Sequence, residues 1–399
     1  MKAQLLGALL AFLILSVFLI IPVVTRANMD NSLLLLAQQF SKGHISIEPV
    51  QGMPLGDLAF SGDRFYIYFG PFASIALVPF VTVFGSGFPQ AMLGVFSMVA
   101  SFYAVYSIAR YFKFSSVDAS WVAVFVSFST VLFSLSVINI SAYQVQALGM
   151  TLVLLSLREY FRDKKRPLLI GVFLGLALLT RMILVVGILF FILEFWQKRL
   201  NRQEIIRILL PFAFFLLLLG AYNFIRFDSP LDSGYAYSTA LNTYPISENY
   251  AKGYMSPVHI PANLYAFFIK PPEVITESEH GYILQFPYFK ADPWGLAIWF
   301  TSPLFLALFY KFRKGKYTKS ALITAFFLFL PVVTYFSVGF AQFGYRYAAD
   351  FLPFLLVALL PCLSPRLTRG DIALIFIGVV LNCIYMTSLW GIYPHFGIN

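Results

Sequence analysis

Long apolar runs separated by short polar segments dominate the pattern along the chain. Runs of about 20 apolar residues recur, and each is long enough to cross about 30 Å of hydrocarbon as a helix. The pattern therefore predicts an all-α polytopic membrane protein with about eleven transmembrane helices. The expected spans are 4–24, 89–110, 119–138, 142–160, 167–181, 182–196, 205–227, 294–310, 318–338, 346–363 and 372–390.

Two apolar runs do not have the length of one ordinary span. Phe72–Phe84 has only about 13 residues, which favours a re-entrant or interfacial helix over a crossing. Leu168–Trp196 is too long for one span, and the polar pair Thr180-Arg181 interrupts it. We therefore expect a hairpin of two short spans there, with Arg181 at its tip.

Composition supports a membrane protein and explains the high charge. The sequence is 59% hydrophobic and 12% charged with a mean hydropathy of +0.79, whereas soluble domains are roughly 25% charged. With a cytoplasmic N-terminus, most of the 28 Lys and Arg residues fall in cytoplasmic loops, as the positive-inside rule requires. The net charge of +10 therefore reflects topology and not a nucleic-acid partner. Cys362 and Cys383 lie in apolar runs and indicate neither a disulfide framework nor a metal site.

The same topology places the polar stretches 25–88, 228–292 and 339–350 on one outer face. We expect one membrane domain over 1–399, in the cell (inner or plasma) membrane. It would comprise a seven-helix core in 1–227, a large outer loop in 228–292 and four helices in 293–399. The first span is expected to be an uncleaved anchor, and the first outer loop to hold interfacial helices.

Asp30 is the leading candidate for chemistry. It lies six residues past the first expected span, before SLLLLAQQF, whose apolar positions fit one face of a short interfacial helix. Asp30 or Asn31 would suit the N-cap of that helix, since Asp and Asn are preferred there. A carboxylate at the outer surface would equally suit a general base for an acceptor hydroxyl. A capping carboxylate keeps one oxygen free, so the two roles conflict only in part.

Arg181 is the clearest intramembrane charge, with GVFLGLALLT before it and MILVVGILFF after it. An arginine at membrane depth costs roughly 2.5–3.5 kcal/mol on insertion scales. Flanking helices of about 15 residues reach only ~22 Å, so the turn should lie inside the bundle. A phosphate would match the guanidinium fork. The structural alternatives are an ion pair with an acid such as Asp350, or snorkelling to the outer surface.

The sequence QFGYRYAAD opens the tenth expected span. Arg346 and Asp350 are four residues apart, so on an α-helix they share a face and can pair. Alternatively, Arg346 with Tyr345 and Tyr347 faces a cavity and contacts a substrate.

Four further residues are substrate-lining candidates on the same face. Asp63 lies in Ser-Gly-Asp, which is also a turn sequence, and Tyr66 belongs to the aromatic run after it. Tyr143 and Gln144 join two expected spans. The 228–292 loop is rich in tyrosine, and loops of this length are usually functional or disordered; its aromatic content argues against disorder. The sequence predicts no cofactor and no metal site, and it leaves open whether a divalent cation is needed.

Several segments together resemble the GT-C superfamily of membrane glycosyltransferases, in particular the bacterial relatives of protein O-mannosyltransferases and lipid A aminoarabinose transferases. The resembling segments are MDNSLLLLAQQFSKG, GDRFYIYFGPFASIALVP, GVFLGLALLTRM, YNFIRFDSPLDSGY and FGYRYAADFLPFLL. The resemblance implies a seven-span core ending in a large outer loop. It implies Asp30 as catalytic base and Arg181 as a ligand of a lipid-phosphate. The family often has two acids in its first loop, whereas Asn31 follows Asp30 here.

The resemblance implies a glycosyltransferase that moves a sugar from a polyprenyl-phosphate donor to a hydroxyl or amine of a glycan, lipid or protein acceptor, with inversion. Arg346, Tyr345 and Tyr347 would assist Arg181 with the donor; Asp350, Asp63, Tyr66, Tyr143 and Gln144 would line the substrates. The alternative function is a transporter or flippase of a lipid-linked or anionic solute, since an interrupted helix with an intramembrane arginine fits that class too.

Overall fold

The computed structural model describes residues 31–49, 58–278, 281–340, 342–363 and 365–392. The first expected span, 4–24, and Asp30 lie outside the described residues. The described chain is mainly helical. Its first helices are Ser32–Ser41, Phe72–Phe84, Met92–Tyr111, Ser116–Phe128, Val131–Val137, Ser141–Tyr160, Pro167–Leu178 and Ile188–Trp196. The later helices are Arg202–Phe227, Ile246–Tyr250, Ile260–Phe268, Ile298–Thr301, Ala307–Tyr310, Thr318–Thr334, Leu352–Leu363 and Arg369–Ile392.

Short 3-10 helices connect these elements. They are Gly85–Gly87, Met182–Gly187, Tyr235–Tyr237, Thr239–Asn242, Pro257–His259, Pro303–Leu306 and Arg346–Asp350.

Helices long and apolar enough to cross a membrane number three within the described residues: Met92–Tyr111, Arg202–Phe227 and Arg369–Met386. The pair Ser116–Phe128 and Val131–Val137 would make a fourth, although it is bent by 60°. The other expected spans are occupied mostly by shorter apolar helices. The eleven-span topology therefore stays a prediction.

The helix Ser141–Tyr160 lies at the centre of the bundle. It packs against Met92–Tyr111 and Pro167–Leu178, and nearly all of its side chains are buried, including Gln144 and Gln146. Burial within protein explains why this segment tolerates more polar residues than a lipid-facing span, since polar groups there find protein partners.

The expected break at Thr180-Arg181 is present, and the hairpin of two spans stays a prediction. The helix Pro167–Leu178 ends one turn before Arg181, and the chain resumes as the 3-10 helix Met182–Gly187. The start of the helix Phe72–Phe84 docks on this break: the N–H of Gly70 donates to the carbonyl of Thr180, and that of Phe72 to the carbonyl of Leu179. A Cβ on Gly70 would lie 2.1 Å from the Leu179 carbonyl oxygen, so only glycine fits this approach.

The helix Phe72–Phe84 has the bounds of the expected short run, and it packs against Ser32–Ser41. The expected span 294–310 is not one helix. It is divided into Ile298–Thr301, Pro303–Leu306 and Ala307–Tyr310, because Pro303 lacks the N–H that would continue the first of these.

The all-α expectation is wrong in detail, because two antiparallel hairpins are present. The first hairpin pairs Leu58–Ser61 with Arg64–Ile67. Its two-residue turn, Gly62-Asp63, has positive φ at both positions, 55° and 64°, which is the backbone of a type I′ turn. The second hairpin pairs Glu273–Thr276 with Leu284–Lys290 and packs against the last helix, Arg369–Ile392.

Candidate functional site

A cavity of about 570 Å³, here called the central cavity, lies where the Arg181 break, the segment 231–255 and the segment 331–347 meet. One part of its lining is apolar and comes from helical segments: Ile183, Val185, Val186, Pro331 and Val332. The other part is polar and holds Arg181, Asp232, Tyr235, Tyr254, Arg346 and Tyr347. The cavity is therefore amphipathic, with two guanidinium groups at its polar part.

Arg181 forms a two-pronged ion pair with Asp350. Its Nε donates to Oδ1 at 2.9 Å and its Nη2 to Oδ2 at 2.8 Å, and both side chains are nearly buried. Within the described residues the Asp350 carboxylate accepts from Arg181 alone, and Nη1 of Arg181 has no hydrogen-bond partner. The structural alternative foreseen for Arg181 is thus present, and Nη1 is left available at a residue that lines the cavity.

The Asp350 carboxylate pairs with Arg181 and not, as the sequence suggested, with Arg346. The segment Arg346–Asp350 is a 3-10 helix, in which residues four apart do not share a face as they do on an α-helix. Arg346 instead donates to Oε1 of Gln146 at 3.1 Å and to the hydroxyl of Tyr347 at 3.2 Å. Its guanidinium also lies 5.2 Å from the ring centre of Tyr143 and 4.6 Å from that of Tyr347. These contacts hold the guanidinium in place.

Five tyrosines form a continuous series of ring contacts around the polar part of the cavity. Ring centres are 4.4 Å apart for Tyr68 and Tyr235, 6.3 Å for Tyr235 and Tyr254, 5.4 Å for Tyr254 and Tyr335, and 5.6 Å for Tyr335 and Tyr347. Burial raises the pKa of Tyr254 well above its usual value, so its hydroxyl keeps its proton and can donate a hydrogen bond. Of these five, sequence reasoning named Tyr347 as a site candidate, whereas Tyr68, Tyr235 and Tyr254 belong to aromatic segments that it noted only as a whole.

Other expected site residues lie away from the cavity lining. Asp63 is exposed at the turn of the first hairpin, and Tyr66 packs against Phe227 with ring centres 5.5 Å apart. Gln144 is buried and donates to the carbonyl of Ile138 at 2.9 Å.

Tyr345 also lies outside the lining, although Tyr347 belongs to it. Tyr345 is fully buried and donates to Oδ1 of Asn263 at 2.7 Å. Tyr143, buried beneath Arg346, donates to the carbonyl of Phe340. Neither Tyr345 nor Tyr143 belongs to the lining of the central cavity.

The first N–H groups of the helix Ser32–Ser41 are capped by a side chain from elsewhere in the chain. The N–H groups of Leu33 and Leu34, which a side chain at position 31 would cap, donate to Oε1 of Gln90 at 3.0 and 3.2 Å. The amide nitrogen of Gln90 donates to the hydroxyl of Ser141 at 3.3 Å. Because Ala142 lines the central cavity, this link ties the start of the helix to the cavity wall.

Sequence reasoning missed Arg226, which is buried at the end of the helix Arg202–Phe227. Its guanidinium donates to the carbonyl of Ile67 and to Oδ1 of Asn223, and it lies 3.9 Å from the ring centre of Tyr222. It therefore fastens the first hairpin to this helix. The run YNFIRF, a cation within an aromatic span end, was the available signal.

Metal-binding groups of three or more His, Cys, Asp or Glu side chains are absent from the part of the chain that the structure describes.

Among solved structures, the chain is similar to the archaeal oligosaccharyltransferase AglB from Archaeoglobus fulgidus, in complex with an inhibitory peptide and a dolichol-phosphate. The TM-score is 0.44 at 14% sequence identity, over 90% of this chain and 51% of that chain. The chain therefore spans about half the length of that protein. No family model matches the sequence, and no curated protein matches it. At this TM-score and identity, the likeness carries no argument for a shared activity.

Proposed function

We propose that the protein is a membrane glycosyltransferase that moves a sugar from a polyprenyl-phosphate donor to a hydroxyl or amine of an acceptor. The observation that carries this proposal is the amphipathic lining of the central cavity. A lipid-phosphate sugar has an apolar chain, an anionic phosphate and a polar sugar. The lining offers a counterpart to each: Ile183 and Val186 for the chain, Arg181 and Arg346 for the phosphate, and tyrosine hydroxyls for the sugar.

The phosphate is expected to bind at Arg181. Nη1 of this residue has no partner within the described residues, and guanidinium groups recognise phosphate oxygens through paired N–H donors. Arg346, held by Gln146 and Tyr347, supplies a second cation. Together they stabilise the negative charge that builds up on the phosphate as it leaves.

Asp30 is proposed as the general base. The two N–H groups that an N-cap would satisfy are already bonded to Gln90, so the helix Ser32–Ser41 does not need the Asp30 carboxylate as a cap. Asp30 is joined directly to Asn31, and the helix start is linked through Gln90 to Ser141, beside a residue of the cavity lining. These contacts support a place for Asp30 beside the donor site.

The reaction is a single in-line displacement at the anomeric carbon. Asp30 takes the proton of the acceptor as its oxygen or nitrogen forms the new bond, and the bond from the anomeric carbon to the phosphate oxygen breaks. The phosphate leaves as a stable anion, so it needs cations more than a proton, and one carboxylate suffices. Attack opposite the leaving group inverts the anomeric carbon, as in one-step glycoside chemistry.

The test compares Asp30→Asn with the wild type. Membranes holding each protein are supplied with radiolabelled polyprenyl-phosphate hexoses and cell-envelope acceptors, and sugar transfer is measured. Loss of the general base should lower the transfer rate by about 10²-fold or more while donor binding persists.

Asp63→Asn is the matched control. Asp63 is exposed at a turn with φ 64°, a conformation that Asn adopts readily, so this variant should retain full activity. Full activity of Asp30→Asn would remove Asp30 from the mechanism.

The alternative candidate is a transporter of a lipid-linked or anionic solute. The specific observation in its favour is the 60° bend between Ser116–Phe128 and Val131–Val137, together with the 3-10 segment at Arg181, since broken helices mark transporter sites. Solute counter-flow in vesicles by a wild type that transfers no sugar from any donor would favour this function over the first.

A further inference from the structure

A second cavity, of about 390 Å³, lies on the side of the bundle that carries the segment 228–292. Its walls come from the segments 245–263 and 336–338 and from Trp294. None of the functions derived above uses this second cavity.

Four polar groups around the second cavity have no hydrogen-bond partner within the described residues. They are the side-chain amide of Asn249, Nζ of Lys252, Nδ1 of His259 and Nε1 of Trp294. Nε2 of His259 is bonded to the carbonyl of Gly253 at 2.9 Å, so the ring is oriented and Nδ1 is the nitrogen left over. The side chain of Lys252 is exposed, whereas that of His259 is buried. A buried, oriented ring nitrogen that has no protein partner at a cavity is suited to bond a polar ligand.

The charge in the lining of the second cavity is positive. Lys252 is its charged residue, and every carboxylate of the described residues lies outside the lining. Lys252 forms no ion pair within the described chain, since the recorded pairs of lysine involve Lys270, Lys290 and Lys311. A ligand with a negative charge therefore fits this cavity better than a neutral or cationic one.

Aromatic residues form the boundary between the two cavities. Tyr250 and Tyr254 line the central cavity, and Phe336 lines the second; the ring centre of Phe336 is 5.6 Å from that of each tyrosine. Tyr335 and Phe336, which are adjacent in sequence, face different cavities. A ligand in the second cavity thus lies directly behind the tyrosines of the donor site.

We propose that the second cavity binds an acidic saccharide, a sugar unit carrying a carboxylate or a phosphate, and that this unit belongs to the acceptor. Lys252 pairs with its anion, Trp294 offers its indole face and N–H, and Asn249 and His259 bond the sugar hydroxyls. The assignment of this unit to the acceptor rests on the proposed function, whereas the binding of an acidic saccharide does not.

The experiment measures binding in the absence of any donor. The full chain in lipid nanodiscs is titrated with a galacturonate trisaccharide, glucose 6-phosphate and maltotriose. We expect an acidic probe to bind at least about tenfold more tightly than maltotriose, the scale of a hydrogen bond to a charged group. Preference for the uronate or for the phosphate then identifies the anion.

Lys252→Gln should lower the affinity for the acidic probe by about tenfold or more and remove its advantage over maltotriose. Lys42→Gln, at an exposed lysine outside the lining, should change nothing. Arg181→Met/Asp350→Asn, a central-cavity variant that leaves neither member of the buried ion pair as an unpaired charge, should keep the binding, which separates this site from the donor site. Gel-filtration profiles check that each variant is folded.

Equal affinities for acidic and neutral probes, an unaffected Lys252→Gln variant, or loss of binding in a folded Arg181→Met/Asp350→Asn variant would each overturn the proposal. Failure of sugar transfer alone would not, because these titrations measure no transfer.

Discussion

The pairing of Arg181 with Asp350 decides how the central cavity is charged. Both side chains are nearly buried, and two hydrogen bonds in a fork join them. A buried ion pair is stable as a pair, but the loss of one member leaves the other as an uncompensated charge. Asp350 therefore keeps Arg181 in place, while Nη1 stays available.

Asp350→Asn should lower the thermal unfolding midpoint of the purified protein, since a buried guanidinium without a counter-ion costs about 3–5 kcal/mol. Adding polyprenyl phosphate should raise that midpoint more in the variant than in the wild type, because the phosphate supplies the missing anion. Differential scanning fluorimetry in detergent, with and without the lipid, measures both effects.

The double variant Arg181→Met/Asp350→Asn is the control for this pair. It should recover part of the lost stability, because the buried charge is gone, and it should lose the response to the lipid. Strictly additive effects of the two substitutions would show that the pair has no energetic coupling.

At the scale of elements, the helix Ser32–Ser41 depends on the loop before Met92–Tyr111. Gln90 bonds two N–H groups at the helix start and reaches Ser141 with its other end. One side chain thus sets the position of the first polar stretch relative to the central helix Ser141–Tyr160.

Gln90→Ala should destabilise the helix start by about 1–2 kcal/mol, the usual cost of removing an N-cap acceptor. If Asp30 is the base, the turnover number should fall more than the affinity for the donor, because the base is displaced while Arg181 is untouched. Steady-state kinetics with varied donor separate these two effects.

Gln38→Ala is the matched glutamine change, placed on the helix Ser32–Ser41 itself, because the half-buried side chain of Gln38 forms no hydrogen bond within the described residues. It should leave both kinetic constants near the wild-type values. Equal losses in the two variants would argue that Gln90 acts through general stability and not through the position of the helix start.

At the scale of the whole molecule, the placement of the two cavities depends on topology. The positive-inside rule puts the segment 228–292 outside and the basic stretch around Lys314 inside. In the structure Tyr282 and Lys314 are both exposed, so each position is accessible to a reagent on its own side.

Cysteine labelling tests this topology. In a chain with Cys362→Ser and Cys383→Ser, intact cells carrying Tyr282→Cys should react with a membrane-impermeant maleimide, whereas those carrying Lys314→Cys should react only after the membrane is opened. The reverse labelling would invert the topology, and labelling of both in intact cells would contradict the expected number of crossings between them.

Local features were accessible from the sequence. The short helix Phe72–Phe84, the break at Arg181 and the turn at Gly62-Asp63 all agree with expectation, because each depends on neighbouring residues. The two hairpins were missed, since strands of four to seven residues give only a short alternating pattern.

The sequence by itself determined a helical membrane-type chain, since apolar runs of fixed length depend only on the residues within them. Tertiary structure alone decided the candidate sites. Arg181 and Asp350 are 169 residues apart, Gln90 and Leu34 are 56 apart, and the tyrosine series comes from separate segments. Such contacts have no local signal, because packing of distant segments selects them from many partners that the sequence would allow.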